Sequence, residues 1–199
     1  MKKAIKSTGN PTAAERHAVF CAYPLQRPNY FHGRLLGVDD FVAEQEYHRK
    51  QQRLHNLHCH GAGVVHGLQV TVANDKTGWT VIIQAGVAID PAGNEVHLCA
   101  PTKFPLFDSA TEIQVGIRWV ERLSGSIPVA GSDPGVLATM PANVEEGCEV
   151  ILNPEATRRS SLVRCSPGED SVQVLLLARI VRSGRVWRLD RRFKVCRAR

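Results

Sequence analysis

Gly61-Ala62-Gly63-Val64-Val65-His66-Gly67-Leu68-Gln69-Val70-Thr71-Val72 is the stretch on which the fold turns. Before it the pattern is helical, and from Leu68 onward apolar and polar residues alternate. Glycines at 61, 63 and 67 let the chain leave a helix and enter a sheet through positive-φ conformations. A dinucleotide-binding glycine loop needs the reverse order, strand then helix, because the pyrophosphate rests on a helix N-terminus. The run therefore reads as a structural exit and not as a phosphate loop.

Upstream, Val38-Asp39-Asp40-Phe41 reads as a helix start. Asp39 or Asp40 can cap free backbone N–H groups and suits the positive end of the helix dipole. The helix is expected to run to about His60, where Gly61 and Gly63 end it. Its apolar stripe is thin, Ala43, Tyr47, Leu54 and Leu57, amid Glu, Gln, His, Arg and Lys. Such a helix docks along one narrow seam. Residues 1–28, polar and broken by Pro11, Pro24 and Pro28, are expected to form an extended N-terminal arm, and 29–199 a single domain.

Downstream, Leu68–Val72 and Trp79–Ile83 flank the turn cluster Asn74-Asp75-Lys76-Thr77-Gly78. Gly86–Asp90 leads through Pro91-Ala92-Gly93-Asn94 to Glu95–Leu98. Further strands are expected at Glu112–Arg122, Glu149–Leu152, Ser171–Val181 and Arg185–Leu189, the last two joined by a Ser183-Gly184 hairpin loop. The Gly/Pro-rich stretch from Ser124 to Asn143 reads as a long excursion loop. The expected fold class is α+β, one long polar helix packed on an antiparallel β domain, a curled sheet or sandwich.

The chain has 199 residues, 43% hydrophobic and 22% charged, an ordinary globular composition. Its net charge of +6 is unevenly placed. From Arg179 onward there are nine basic residues and one acid, Asp190, a net +8, which leaves −2 for the rest. That distribution argues against a body coated in positive charge for sequence-independent nucleic-acid binding. No apolar stretch approaches the length of a membrane span. No secretory signal is expected, because no apolar core follows the initial lysines. The six scattered cysteines, with no C-x-x-C, read as reduced and mostly buried.

Three groups of residues could carry chemistry. His55, His58, His60 and His66, with Cys59, supply imidazole and thiolate donors that suit zinc. The H-E-x-x-H and paired C-x-x-C spacings of known zinc sites are missing, so capping and packing histidines are the preferred reading. The arginine-rich C-terminus, including Arg188, Arg191 and Arg192, reads equally as solubilising charge or as a tail docking on an acidic neighbour, with Trp187 and Phe193 as apolar anchors. Nucleic acid ranks third for it, because aromatics are too sparse for a stacking platform. Tyr30-Phe31-His32 reads as a staple onto the helix or as an anchor in a partner's groove.

The run Arg27-Pro28-Asn29-Tyr30-Phe31-His32-Gly33-Arg34-Leu35-Leu36-Gly37, continuing through Arg53-Leu54-His55-Asn56 to His60-Gly61-Ala62-Gly63-Val64-Val65-His66-Gly67-Leu68, resembles a family of small bacterial proteins associated with contractile phage-tail-like injection particles. The segment from Ala85 to Glu95 and the closing Leu177-Ala178-Arg179-Ile180 also look like that family. His55 and His60 match its pattern, whereas His58, Cys59 and His66 do not, which weakens the expectation of a shared metal site. The resemblance implies a structural or assembly component acting through protein–protein contacts, with no cofactor, as a homo- or hetero-oligomer with other particle proteins. It also implies a cytoplasmic location and incorporation into a released or anchored particle. The competing readings are a zinc-dependent enzyme using the histidine cluster and an anionic-polymer or nucleic-acid binder using the C-terminal arginines.

Overall fold

The computed structural model describes residues 25–76, 78–106, 110–130, 137–152 and 174–199. The chain divides into two compact units, Met1–Tyr47 and His48–Arg199. In the first, residues 25–37 carry a turn in which the Arg34 N–H donates to the Phe31 carbonyl at 3.1 Å, with Gly33 at φ +88°. Helix α1, Val38–His55, follows. Of the two aspartates, Asp40 makes the cap. Its carboxylate accepts the Gly37 N–H at 3.0 Å while its own N–H donates to the Gly37 carbonyl at 3.2 Å, the reciprocal logic of a capping box. The Gly37 N–H and, secondarily, the Arg34 guanidinium hold the Asp40 carboxyl below the usual aspartate range.

In the second unit the helix passes into a π turn, Asn56–His60, closed by the Gly61 N–H donating to the Asn56 carbonyl at 3.0 Å. The helical stretch thus ends at His60, and Gly61 at φ +74° takes the chain out of it. Among the described residues twelve strands follow. They are β1 Gly63–Gly67, β2 Val70–Asp75, β3 Gly78–Ile83, β4 Gly86–Ile89, β5 Glu95–Leu98, β6 Thr102–Pro105, β7 Glu112–Ser124, β8 Ile127–Ala130, β9 Leu137–Met140, β10 Asn143–Leu152, β11 Leu175–Ser183 and β12 Val186–Leu189. They build sheets ordered β1-β4-β5, β2-β3-β6, β10-β7-β11-β12 and β8-β9, every named pair antiparallel. The fold is α+β, with a curled half-barrel among its sheets.

The core follows the period-2 rule of strands. Along β7, Ile113, Val115 and Ile117 are buried while Gln114 between them is partly exposed. Val81 and Ile83 of β3, Val96 of β5 and Ile180 of β11 meet them in one apolar cluster. Burial of a side chain of this kind stabilises by about 1.5–3 kcal/mol each.

Four local expectations change. The glycine exit is itself a strand, β1, because Gly63–Gly67 pairs with β4 across a bulge between Val64 and His66. The hairpin loop is Gly184-Arg185, one residue later than expected, since Ser183 pairs with Val186 and Gly184 takes φ +60°. The stretch from Ser124 to Asn143 contains the β8–β9 hairpin, whose short apolar runs are masked in the sequence by Gly125, Pro128 and the glycines between them. Finally, Cys59, Cys99 and Cys196 are exposed free thiols. Among the described cysteines only Cys148 is partly buried, and burial pushes its thiol up to about 11, with Cys99 and Glu149 adding to the shift. Cys21 and Cys165, like the expected arm over residues 1–24, lie outside the described residues.

The C-terminal segment lies along β1. The Val64 N–H donates to the Cys196 carbonyl at 2.8 Å, and the Ala198 N–H donates to the Val64 carbonyl at 3.2 Å, a parallel bridge between Val64 and Arg197. Gly63, at φ +153°, makes this approach feasible, since a Cβ there would stand 2.5 Å from the Arg197 carbonyl carbon and 2.6 Å from the Ala198 nitrogen. The substitution Gly63→Ala is expected to cost roughly 2–4 kcal/mol, lowering Tm by about 5–15 °C for a chain of this size. An unchanged melting curve would show that the tail does not hold to β1.

Candidate functional site

The last turns of the helical stretch meet the β5 and β7 strands through polar groups. Asn56 is 3% exposed. Its Nδ2 donates to the Gly93 carbonyl at 2.9 Å and to Glu95 Oε1 at 3.3 Å, and its Oδ1 accepts from Gln52 Nε2 at 3.2 Å. Gln52 also donates to Glu95 at 3.0 Å, and Arg53 Nε donates to Asn94 Oδ1 at 2.6 Å. Arg49 pairs with Glu121 at 2.7 Å, and the guanidinium groups of Arg49 and Arg53 lie 5.3 and 5.6 Å from the Trp119 ring, within the range of cation–π attraction. The apolar seam expected for this helix does not form, because Ala43 and Leu54 are exposed and Tyr47 and Leu57 are only half-buried.

The turn under Asn56 is held by hydrogen bonds to one buried carboxylate. Asp90, 2% exposed, accepts the N–H groups of Ala92 and Asn94 and the Asn94 side-chain amide, each at 2.8 Å. Burial pushes the Asp90 carboxyl above its ordinary value, while these donors and Arg53 pull it back. Gly93 sits at φ +90°, and a Cβ there would stand 2.5 Å from the Arg53 carbonyl oxygen. The sequence marks Asp90 as a turn residue, which it is, but does not show that the turn receives the helix.

The histidines scatter about the helix exit. His55 and His60 meet edge to face at 5.4 Å, Cys59 Sγ lies 3.6 Å from His55 Nδ1, and His60 Nδ1 lies 3.2 Å from the Arg199 carbonyl oxygen. His58 is exposed beside them, and His66 is exposed on β1. Among the described residues, no three His, Cys, Asp or Glu side chains gather as a metal ion requires.

The C-terminal arginines fall into two sets. Arg179, on β11, stands between Glu112 at 3.7 Å and Asp190 at 3.6 Å. Arg182 lies over the Trp187 ring at 5.8 Å. Trp187, expected as an apolar anchor for a partner, is 2% exposed, because opposite Arg182 it shares the face of the β11–β12 ladder that buries Ile180 in the core. Arg188, Arg191 and Arg192 are exposed and, among the described residues, their side chains have no acid partner. The segment that bears the last two is held locally: the Asp190 N–H donates to the Arg179 carbonyl at 2.8 Å, and Asp190 accepts the N–H groups of Arg192 and Phe193 at 2.9 and 3.1 Å.

In the first unit, Tyr30, Phe31 and His32 are exposed. Tyr30 reaches Glu44 through a hydroxyl contact of 3.4 Å. The apolar surface extends well beyond this pair. Leu35 is 92% and Val38 78% exposed, and Leu36, Phe41 and Val42 join them. Leu35-Leu36 just before helix α1 and Val38…Phe41-Val42 at one-turn spacing in its first turns are apolar in the sequence itself.

Two measurements test these assignments. Asn56→Ala is expected to cost about 1–3 kcal/mol, because it strands the Gly93 carbonyl, whereas Leu54→Ala should stay within about 0.5 kcal/mol. The reverse order in chemical denaturation would restore the apolar seam. Treatment with EDTA is expected to leave Tm unchanged to within about 1 °C, since a structural metal would be linked to folding.

No helix among the described residues is long and apolar enough to cross a membrane. No protein-family model matches the chain, and no curated protein matches it. Among solved structures, the chain is similar to a chain of the type VI secretion system TssK-TssF-TssG baseplate subcomplex, at 12% identity and a TM-score of 0.49, over 85% of this chain and 61% of that one. It is similar to TssK in a crystal structure at 14% identity and a TM-score of 0.46, over 83% and 41% respectively. A chain of the baseplate complex from the type VI secretion system is similar at 12% identity and a TM-score of 0.48, over 86% and 41%. The chain thus spans between about two-fifths and three-fifths of the length of these structures.

Proposed function

We propose that this chain is a structural or assembly component of a phage-tail-like contractile injection particle, acting through protein–protein contacts as part of an oligomer in the cytoplasm. The observation that carries the reading is the exposed apolar set of the first unit. Eight large apolar side chains between Leu25 and Val42 are open to solvent: Leu25, Tyr30, Phe31, Leu35, Leu36, Val38, Phe41 and Val42. A soluble monomer seldom leaves so much apolar surface in so short a stretch, and such surfaces mark protein contacts. Aromatic side chains such as Tyr30 and Phe31 are common anchors in interfaces. Four of the eight, Tyr30, Phe31, Leu35 and Leu36, lie in the run Asn29–Leu36 that resembles the family, so part of the feature that resembles the family also asks for a partner.

The test is co-sedimentation with the particle. In cells that assemble contractile particles, the tagged chain is expected to travel with sheath, tube or baseplate proteins. The triple change Leu35→Ser, Val38→Ser and Phe41→Ser should leave Tm within about 2 °C, because exposed substitutions cost little, and should release the chain into the soluble fraction. A wild-type chain that is monomeric and absent from the particle fraction would refute the reading.

A further inference from the structure

We propose that the cleft between the β1–β2 connection, β11 and the segment after β12 receives an extended peptide segment of a neighbouring particle protein, one that combines acidic and apolar side chains. The inference rests on the assembly role proposed above and deepens it by naming the chemistry of the partner.

The cleft has a volume of about 320 Å³, within the range of natural binding sites. Leu68, Leu177, Leu189 and Phe193 give it apolar walls, and Arg179, Arg191 and Arg197 bring positive charge to it, with Asp190 as the only acid. Charge complementarity decides what suits it. Elsewhere in the chain Arg34, Arg49, Arg118 and Arg122 each sit on a carboxylate. Around the cleft, Arg191 and Arg197 are exposed and their side chains have no acid partner among the described residues. Arg179 already stands between Glu112 and Asp190, at 3.7 and 3.6 Å, so the positive charge left for a ligand is that of Arg191 and Arg197. Arginine offers carboxylates a planar, two-pronged donor set.

A second observation points to the same wall. Leu68, buried in the cleft lining, holds φ +54°, the one positive-φ residue other than glycine among the described residues. Backbone strain of this kind persists only where surrounding structure enforces it, and it gathers at binding sites. The apolar walls favour a peptide over a nucleic acid. A phosphodiester chain would need stacking aromatics, and Phe193 is the only aromatic residue lining the cleft.

The experiment measures fluorescence anisotropy of a labelled octapeptide alternating leucine and aspartate, with full-length protein at moderate salt. Two control peptides replace every aspartate by asparagine or every leucine by serine. Binding of the first peptide is expected to exceed either control at least tenfold. Arg191→Glu should weaken it at least fivefold, while Arg185→Glu, the same charge change at the hairpin turn away from the cleft, should change it less than twofold. Leu189→Gln tests the apolar wall and should also weaken binding, with circular dichroism confirming the fold. Absence of binding, equal binding of the three peptides, equal effects of Arg191→Glu and Arg185→Glu, or tighter binding of an oligodeoxythymidine would each overturn the proposal. Peptide binding by a chain that fails to join particles would refute the assembly role and leave the cleft assignment standing, and the converse result would do the opposite.

Discussion

A single buried asparagine fixes the helix exit to the sheets. Asn56 donates to the Gly93 carbonyl from inside the protein, where an unmade hydrogen bond is expensive, so the geometry of this contact is strictly specified. The contact needs three conditions at once. Gly93 must lack a side chain, because the Arg53 backbone occupies that space. Asp90 must hold the turn by accepting two backbone N–H groups and one amide. The helix must also end in a π turn that begins at Asn56. An apolar seam would tolerate sliding, whereas a directional polar contact sets one register. That contact fixes the helix exit although Leu54 beside it stays exposed and Leu57 is only half-buried.

The same exit organises the C-terminal segment. The Arg199 N–H donates to the His60 carbonyl at 2.8 Å, supplying one of the partners that helix-end carbonyls lack. From there the segment runs back along β1, close against Gly63. A stretch that is strongly basic in composition is therefore anchored by its backbone, and its arginine side chains are displayed from a fixed frame. This changes the meaning of the charge. A loose basic tail attracts any polyanion, while arginines held around an apolar cleft discriminate by shape as well as by sign.

Some of the charge on the described strands is paired within the sheet. Across β7 and β10, Arg118 pairs with Glu149 and Arg122 with Glu145, cross-strand neighbours in the ladder. Such exposed pairs are worth about 0–1 kcal/mol each, so their main consequence is to leave few charges available to a partner. The proposed recognition surfaces, the apolar set between Leu25 and Val42 and the arginines around Arg191, lie outside these pairs.

The α+β class, the helix from Val38 to His60 and most of the strands were legible in the sequence, because helical and alternating patterns reflect backbone periodicities that act locally. The Tyr30-Phe31 pair and the local concentration of arginine were legible for the same reason, being features of composition and neighbourhood. Four things were decided only by the tertiary structure. Trp187 points inward because the hairpin register puts it on the sheet face that buries Ile180. The glycine exit is a strand because β4 and the C-terminal segment pair with it. The helix seam is polar because Gly93, 37 residues beyond Asn56, offers it a carbonyl. The cleft exists because β1, β11 and the C-terminal segment, distant along the chain, stand side by side. Sequence patterns record which residues prefer water and at what period. They do not record which distant backbone will supply the hydrogen bond or the wall, since that choice depends on long-range closure of the chain.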